Sequence, residues 1–514
     1  VVDRFPDDTA VSPRRVPAVV PVSRPTPRGK GFLLVLLAVL ACGGCARAPA
    51  TDAEAFLDWS RDHLIATGSL TLVTGETLET SSAGAHEVWT WDDRQALNTA
   101  LGGAELVGLG DSRHDTREQH LVKAALARFL IEELGFGIVV IEGSFTQMEA
   151  VDRCLGPEGG DLPSAVSSLP GWYLWDTGEM LDFLEWIRGF NATHPAAERV
   201  HVFGMDITAP AAGIREVVDA LRVEETVEGE EGSAPVTIRE EDLGLDLQDG
   251  DFWPRTWQRY RELDETRRQG LATAYQALVD KVEARKERLV SAFTTTEYER
   301  LLLLARIGAW GNELFSSANP AEGGVIRERG MAEVLAWIRA HEGPAAKVVV
   351  WANNLHVATA PFEMPGLAEG KLVPMGVLLR ERWGDAYLAI GGSFGEGSFG
   401  PELPPGERSF EPAPPESMDG ALARVGPSAF LLDLRAVRID AGAREAPVAS
   451  RDISGAARDA RAARWLGEAR RWRSQDGWAV MVPAEAFDLV YFVRQITRAR
   501  PSARALERFR AMGE

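Results

Sequence analysis

The chain has 514 residues, 45% of them hydrophobic and 25% charged, with a formal net charge of −21. These values describe a globular chain of one large or two to three ordinary domains, and exclude wholesale disorder, collagen-like repeats and a multi-span membrane protein. The acidic excess argues against a nonspecific grip on nucleic-acid phosphate, and three cysteines cannot build a disulfide framework.

Residues 1–45 read as an N-terminal extension with a lipoprotein-like signal. A basic stretch with Arg24, Arg28 and Lys30 precedes the apolar run Gly31 to Ala41, which is too short to span a bilayer as a helix, and small residues follow. A cysteine directly after small residues marks Cys42 as the expected lipid-bearing residue, with Cys45 the alternative. The expectation is an exported, membrane-anchored lipoprotein of the cell envelope, touching the membrane only through that anchor. A soluble secreted or periplasmic protein is the alternative.

From Thr51 to Gly68 the pattern predicts a short amphipathic helix, and Asp92 to Leu101 another. Glu105 to Gly110 is a strand-length apolar run that stops at Asp111. Thr116 to Leu134 has helical spacing and closes on Gly135. Gly137 to Ile141 is a β-branched run ending at Glu142, Gly178 to Phe190 is helical, and Val200 to Met205 is a strand ending at Asp206. Lys347 to Trp351 is a further strand, followed by Ala352, Asn353 and Asn354, and Ala386 to Ile390 is a fifth. Solid apolar strands separated by helices predict an α/β fold, a mostly parallel central sheet buried on both faces by flanking helices.

The first part of that α/β domain is read as 46–222 and the second as 321–514. Between them, 223–250 is acidic and lacks an apolar period, which predicts an exposed loop or disordered insert. Residues 251–320, helical from Trp253 to about Phe315, read as an inserted helical hairpin subdomain. A loose, Pro-rich stretch covers Gly400 to Pro415.

The apolar strands share one regularity: they end in polar residues, namely Asp111 with His114, Glu142, Asp206, and Asn353 with His356. Open parallel sheets bind ligands outside the carboxyl ends of their strands, and right-handed crossovers put those ends on one edge. Two histidines and several carboxylates are thus expected in one crevice, the acid–base inventory of a hydrolase. Asp111 and Asp206 could instead cap helices, Asp115 with Glu118 fits a capping box, and Glu142 alone is open between structure and function. His63, His120, His194, His201 and His341 read as solvated or loop histidines.

Two tempting motifs fail. Gly391 to Gly395 matches G-x-S-x-G after a strand, but a nucleophile elbow needs a helix next and a later histidine. Prolines follow instead, and His356 is the last histidine. Gly395 to Gly400 matches G-x-G-x-x-G but opens no helix. There is no HExxH and no P-loop.

The blocks Leu106 to Glu118 (LVGLGDSRHDTRE), Leu134 to Glu142, Trp175 to Met180, Val202 to Asp206, Arg327 to Ala332, Val350 to His356 and Met375 to Gly391 run collinearly through the chain, with an echo at Phe487 to Phe492. Together they resemble the erythromycin esterase-like proteins. The resemblance implies that His114 is the general base that activates water, that Asp111 stands where the family has Glu, and that Glu142 is an active-site carboxylate. It also implies that His356 is the second histidine of a W-A-H-N-x-H block, that Arg327 is the arginine of R-D-x-x-M-A, and that Lys123 fills a basic position on the first helix. Three departures stand out: Asp111 for Glu, Asp115 for Gly, and Asn353 for the first histidine of its block. Asparagine can donate to an oxyanion but cannot shuttle a proton near neutral pH.

The resulting expectation is a hydrolase that cleaves an ester or lactone with water activated by His114. Asp111, Glu142 and His356 complete the catalytic set, while Lys123, Arg327, Asn353 and Asp206 bind substrate or the oxyanion. No cofactor, no metal and no nucleic acid is called for; the partner is a small-molecule ester or lactone. The alternatives are a metal-dependent hydrolase in the same pocket and a non-catalytic envelope protein that binds a small molecule.

Overall fold

A computed structural model describes residues 51–73, 86–228, 238–248, 253–366, 369–400, 406–439, 455–475 and 477–513. The signal-like segment, Cys42 and Cys45 lie outside these residues. The strands are β1 (Leu64–Val73), β2 (His86–Trp91), β3 (Leu106–Leu109), β4 (Ile138–Ser144), β5 (His201–Asp206), β6 (Val348–Trp351), β7 (Phe362–Glu363), β8 (Lys371–Leu372), β9 (Tyr387–Phe399), β10 (Arg408–Phe410), β11 (Ala429–Asp433), β12 (Arg470–Ser474), β13 (Gly477–Met481) and β14 (Leu489–Ile496). A 10-stranded sheet runs in the order β2-β1-β11-β14-β9-β3-β6-β4-β5, with β10 hydrogen-bonded to β9. The stretch from β14 to β5 is parallel throughout, while β2, β1 and β11 extend it as an antiparallel flank. A second, 4-stranded sheet, β12-β13-β7-β8, lies apart from it.

The strands expected from solid apolar runs are present, and two cores explain why they are solid. Ile138 and Val140 of β4 and Val348 and Val350 of β6 enter one core, while Val139, Ile141 and Val349 enter the other. With both faces covered by helices, each strand residue is buried, so the period-2 signal of a one-sided sheet vanishes. On one face lie the helices Arg117–Leu134 and Gly178–Thr193; on the other, Ala211–Glu228, Thr295–Ser316 and Pro320–Glu342. The helix Glu265–Ala284 packs on Thr295–Ser316, with the short helix Lys286–Ala292 between them in the chain.

Several expectations change. The first helix ends at Asp62, not Gly68: the Thr-rich, β-branched Leu64–Val73 pairs with β2 and β11 as a strand. The strand expected at Ala386–Ile390 runs on through its glycines to Phe399, and the Pro-rich stretch after it holds β10. Much of the supposed exposed insert is ordered. The Ala211–Glu228 helix enters it, Leu245–Gln248 is helical, and Leu243 and Leu245 are fully buried. Acidity misled here because Glu224 is buried between Arg285 and Arg288, so its charge is neutralised inside the structure and not in water. Residues 229–237 and 249–250 lie outside the described residues. Among the described residues, no helix is long and apolar enough to cross a membrane.

Candidate active site

Strands β3, β6, β4 and β5 are consecutive neighbours and all parallel, so their carboxyl ends meet on one edge. Chain reversal after β3 is tight. A Cβ on Gly110 would meet Asn354 Oδ1 at 2.4 Å, so only glycine lets Asp111 follow directly. Asn354 fixes this corner by donating from N to Asp111 O at 2.8 Å and exchanging side-chain hydrogen bonds with the Gly392 backbone.

Each sequence-derived candidate lies in this one place. His114 Nδ1 is 3.2 Å from Asp111 Oδ1, although the N–H is not aimed at the oxygen, and His114 Nε2 is 3.5 Å from Glu142 Oε2. His356 Nε2 is 3.0 Å from Glu142 Oε1. Arg327 reaches Glu142 Oε1 at 2.8 Å and grips Asp206 with Nε and Nη2 at 3.1 and 2.8 Å. Thus Asp111, Glu142, Asp206 and Glu328 match His114, His356, Lys123 and Arg327 one for one in a network almost shut off from solvent, Arg327 being its most exposed member at 24%.

Lys123 and Asn353 both turn onto the carboxylates of the site. Lys123 is fully buried and donates to Asp111 Oδ2 at 2.5 Å and to Ala352 O at 3.0 Å. Asn353 donates from Nδ2 to Asp111 Oδ1 and from its backbone N to Glu142 Oε2, while its Oδ1 caps Leu355 N. Both hold carboxylates in place through these hydrogen bonds.

The electrostatics follow from burial and pairing. Burial disfavours a charged imidazole at His114, but Asp111 and Glu142 outweigh it and push the pKa up to about 9. Burial likewise opposes charge at His356, where Glu142 and Glu328 win and raise it to about 10. Burial would raise Asp111, but Lys123 and His114 hold it well below the usual carboxylate range; Glu142 is held low in the same way by His356 and His114. Burial lowers Lys123, against the opposing pull of Asp111.

Two other readings are corrected. Asp115 does not cap the helix, because Thr116 is the N-cap residue and Asp115 instead pairs bidentately with Arg113, while Glu118 accepts from Thr497. His120 is not solvated: it is 1% exposed, neither ring nitrogen has a hydrogen-bond partner, and burial pushes its pKa down to about 4. Ser393, in the rejected G-x-S-x-G match, is mid-strand, fully buried and donates to Asp419 at 2.7 Å.

The structure adds residues that sequence reasoning passed over. Trp175 from the short helix Trp172–Trp175 leans on His114 with ring centroids 5.4 Å apart. Glu328 Oε1 is 2.6 Å from His356 Nδ1. The signal for Glu328 was its place beside Arg327, but helix neighbours point about 100° apart, so adjacency did not imply a shared target. Among the described residues, no group of three or more His, Cys, Asp or Glu side chains is arranged to hold a metal ion.

The chain is similar to the erythromycin esterase type II of Escherichia coli, 22% identical over 329 residues that cover 59% of this chain and 71% of that protein. A solved Bacillus cereus protein shares the fold at a TM-score of 0.65 and 20% identity, covering 88% of this chain and 100% of its own. A histidine-to-asparagine mutant of the erythromycin esterase EreC, in its open conformation, does so at a TM-score of 0.58 and 18% identity, covering 79% of this chain and 94% of that one. The family model described as Erythromycin esterase matches residues 131–496, well over half the sequence, and the chain therefore belongs to the erythromycin esterase family.

Proposed function

We propose that this protein is a hydrolase of carboxylic esters or lactones in which His114 activates water without a covalent acyl-enzyme. The observation that carries the reading is the placement of His114 between Asp111 and Glu142, at the edge where four parallel strands end. Asp111, itself fixed by Lys123 and Asn353, faces Nδ1, and Nε2, with Glu142 Oε2 3.5 Å away, is the nitrogen that accepts the proton of water. The water oxygen attacks the carbonyl carbon, and the carbonyl oxygen becomes an oxyanion beside the cationic Arg327 and His356. The carbon–oxygen bond to the leaving alcohol then breaks, and His114 returns its proton to that alkoxide. Ser393 is too deeply enclosed to serve as a nucleophile.

The test is incubation of the protein and its His114→Ala variant with esters, lactones and macrolides, read by mass spectrometry for the gain of one water. Turnover abolished in the variant and retained in chelator is the expected result. Equal turnover in both proteins overturns His114 as the base, and turnover lost in chelator selects a metal-dependent hydrolase. Both nitrogens of His356 already face carboxylates, so metal binding there would require breaking those pairs.

We further propose export and lipidation at Cys42, supported by the basic, apolar and small-residue order of 24–45. Mass spectrometry of the membrane fraction checks it: the lipid mass is lost in Cys42→Ser and kept in Cys45→Ser.

A further inference from the structure

Glu328 has no part in the steps above, yet it makes one of the shortest contacts in the site. We infer that Glu328 is a positioning residue that fixes the His356 ring and keeps it cationic beside the reaction centre, so that His114 alone accepts a proton. The inference rests on the hydrolase reading for its catalytic half, and on geometry alone for Glu328's hold on His356.

The Glu328 carboxylate is fastened on both oxygens. Oε1 lies 2.6 Å from His356 Nδ1, and Oε2 accepts from Met375 N at 2.7 Å, at the first residue of the Met375–Trp383 helix. It cannot swing away without releasing that helix start. On the opposite side of the ring, Nε2 is 3.0 Å from Glu142 Oε1. The charged groups facing His356 are therefore Glu142 from β4 and Glu328 and Arg327 from the Pro320–Glu342 helix, with Asp206 from β5 behind Arg327. Arg327 Nη1, 3.2 Å from Nε2, is the one cation among them, and it is neutralised in turn by Asp206 and Glu142.

Carboxylate oxygens only 2.6 and 3.0 Å from the two nitrogens of His356 favour the cationic ring, which has no lone pair to offer as a base. Its Nδ1 faces Glu328, while Nε2 lies between Glu142 Oε1 at 3.0 Å and Arg327 Nη1 at 3.2 Å. His114 differs: its contacts are 3.2 and 3.5 Å, and its Nδ1–H is not directed at Asp111. Its proton is the more loosely held of the two. The two histidines thus divide the labour, and Glu328 is what sets them apart, since Glu142 touches both.

The experiment is an NMR titration of the His356 ring in the wild type, Glu328→Gln and Glu328→Asp, paired with pH–rate profiles. Glutamine keeps an acceptor for Met375 N but removes the charge, and the His356 midpoint is expected about 1 to 3 pH units lower. The rate should then gain an alkaline descent at that same new midpoint. Aspartate retains the charge and keeps the midpoint near that of the wild type, with a reduced rate from the lost reach. A His356 midpoint that stays put in folded Glu328→Gln overturns the inference. So does an aspartate variant that titrates like the glutamine one, the outcome expected of a purely structural role. A midpoint that moves in a protein that hydrolyses no ester upholds Glu328's hold on His356 and overturns the hydrolase reading instead.

Discussion

Lys123 Nζ lies 2.5 Å from Asp111 Oδ2 with neither side chain exposed at all. A buried ion pair of this kind gains little over a hydrophobic pair, but removal of one partner strands the other charge. Lys123→Met is therefore expected to destabilise the fold by about 3–5 kcal/mol, and Lys123→Met with Asp111→Asn by clearly less than the single change. Urea unfolding of the two variants checks it; equal losses would mean that the charge left behind is not the cause.

The paired histidines make stability depend on pH in a definite direction. The folded pKa values of His114 and His356 are raised to about 9 and 10, above the ordinary 6.5. Their contribution is complete below pH 6.5 and is lost as pH rises through the folded values. Unfolding free energy is expected to fall by on the order of a few kcal/mol between pH 7 and 10. In His356→Gln, the part of that fall near pH 10 should disappear, which denaturation curves at closely spaced pH values would resolve.

How much of this was legible in the sequence depends on whether neighbours in space left a local trace. Asp111, Glu142, Asp206 and Asn353 were readable because each directly follows or ends an apolar run, and the parallel rule then brought them together. The antiparallel flank was not. β1 has mixed polar and apolar residues in Leu64–Val73, and its pairing with β11 reaches a segment more than 350 residues away in sequence, which no local pattern marks. His120 was misread for a similar reason. Its helix turns it away from water and against Trp351, and that burial depends on a strand far along the chain. The hydrogen bonds of Lys123 and Asn353 to Asp111, and of Asn353 to Glu142, join segments far apart in the chain, which no local pattern marks.

Asn353→Asp isolates the donor role of that amide. The carboxylate would still cap Leu355 N, but it would replace a donor to Asp111 Oδ1 with a second acceptor beside two ionised carboxylates. The new group is expected to titrate well above an ordinary aspartate. Its penalty should then be largest at neutral pH and shrink as the pH falls through its raised pKa and it takes up a proton. Thermal unfolding of wild type and variant at pH 5 and pH 8 tests this: the gap should narrow at pH 5. A gap of the same size at both values would assign Asn353 a packing role only.

The rate itself should carry the signature of His114. A general base must be unprotonated, and Asp111 and Glu142 hold the His114 proton up to a pKa of about 9. At pH 7 roughly one molecule in a hundred then has the competent form, and kcat/KM is expected to rise about tenfold per pH unit before levelling near pH 9. Asp111→Asn removes one of the two charges that retain the proton, so the midpoint should drop and the rate at pH 7 recover part of what misplacement of the ring costs. A midpoint that drops while the high-pH plateau also falls would separate those two effects, since the plateau reports orientation and the midpoint reports charge. A profile flat from pH 6 to 10 in the wild type would mean that no group with the titration of His114 limits the reaction. The proton would then have to be taken by another member of the network, of which Glu142, in contact with both histidines, is the one in place.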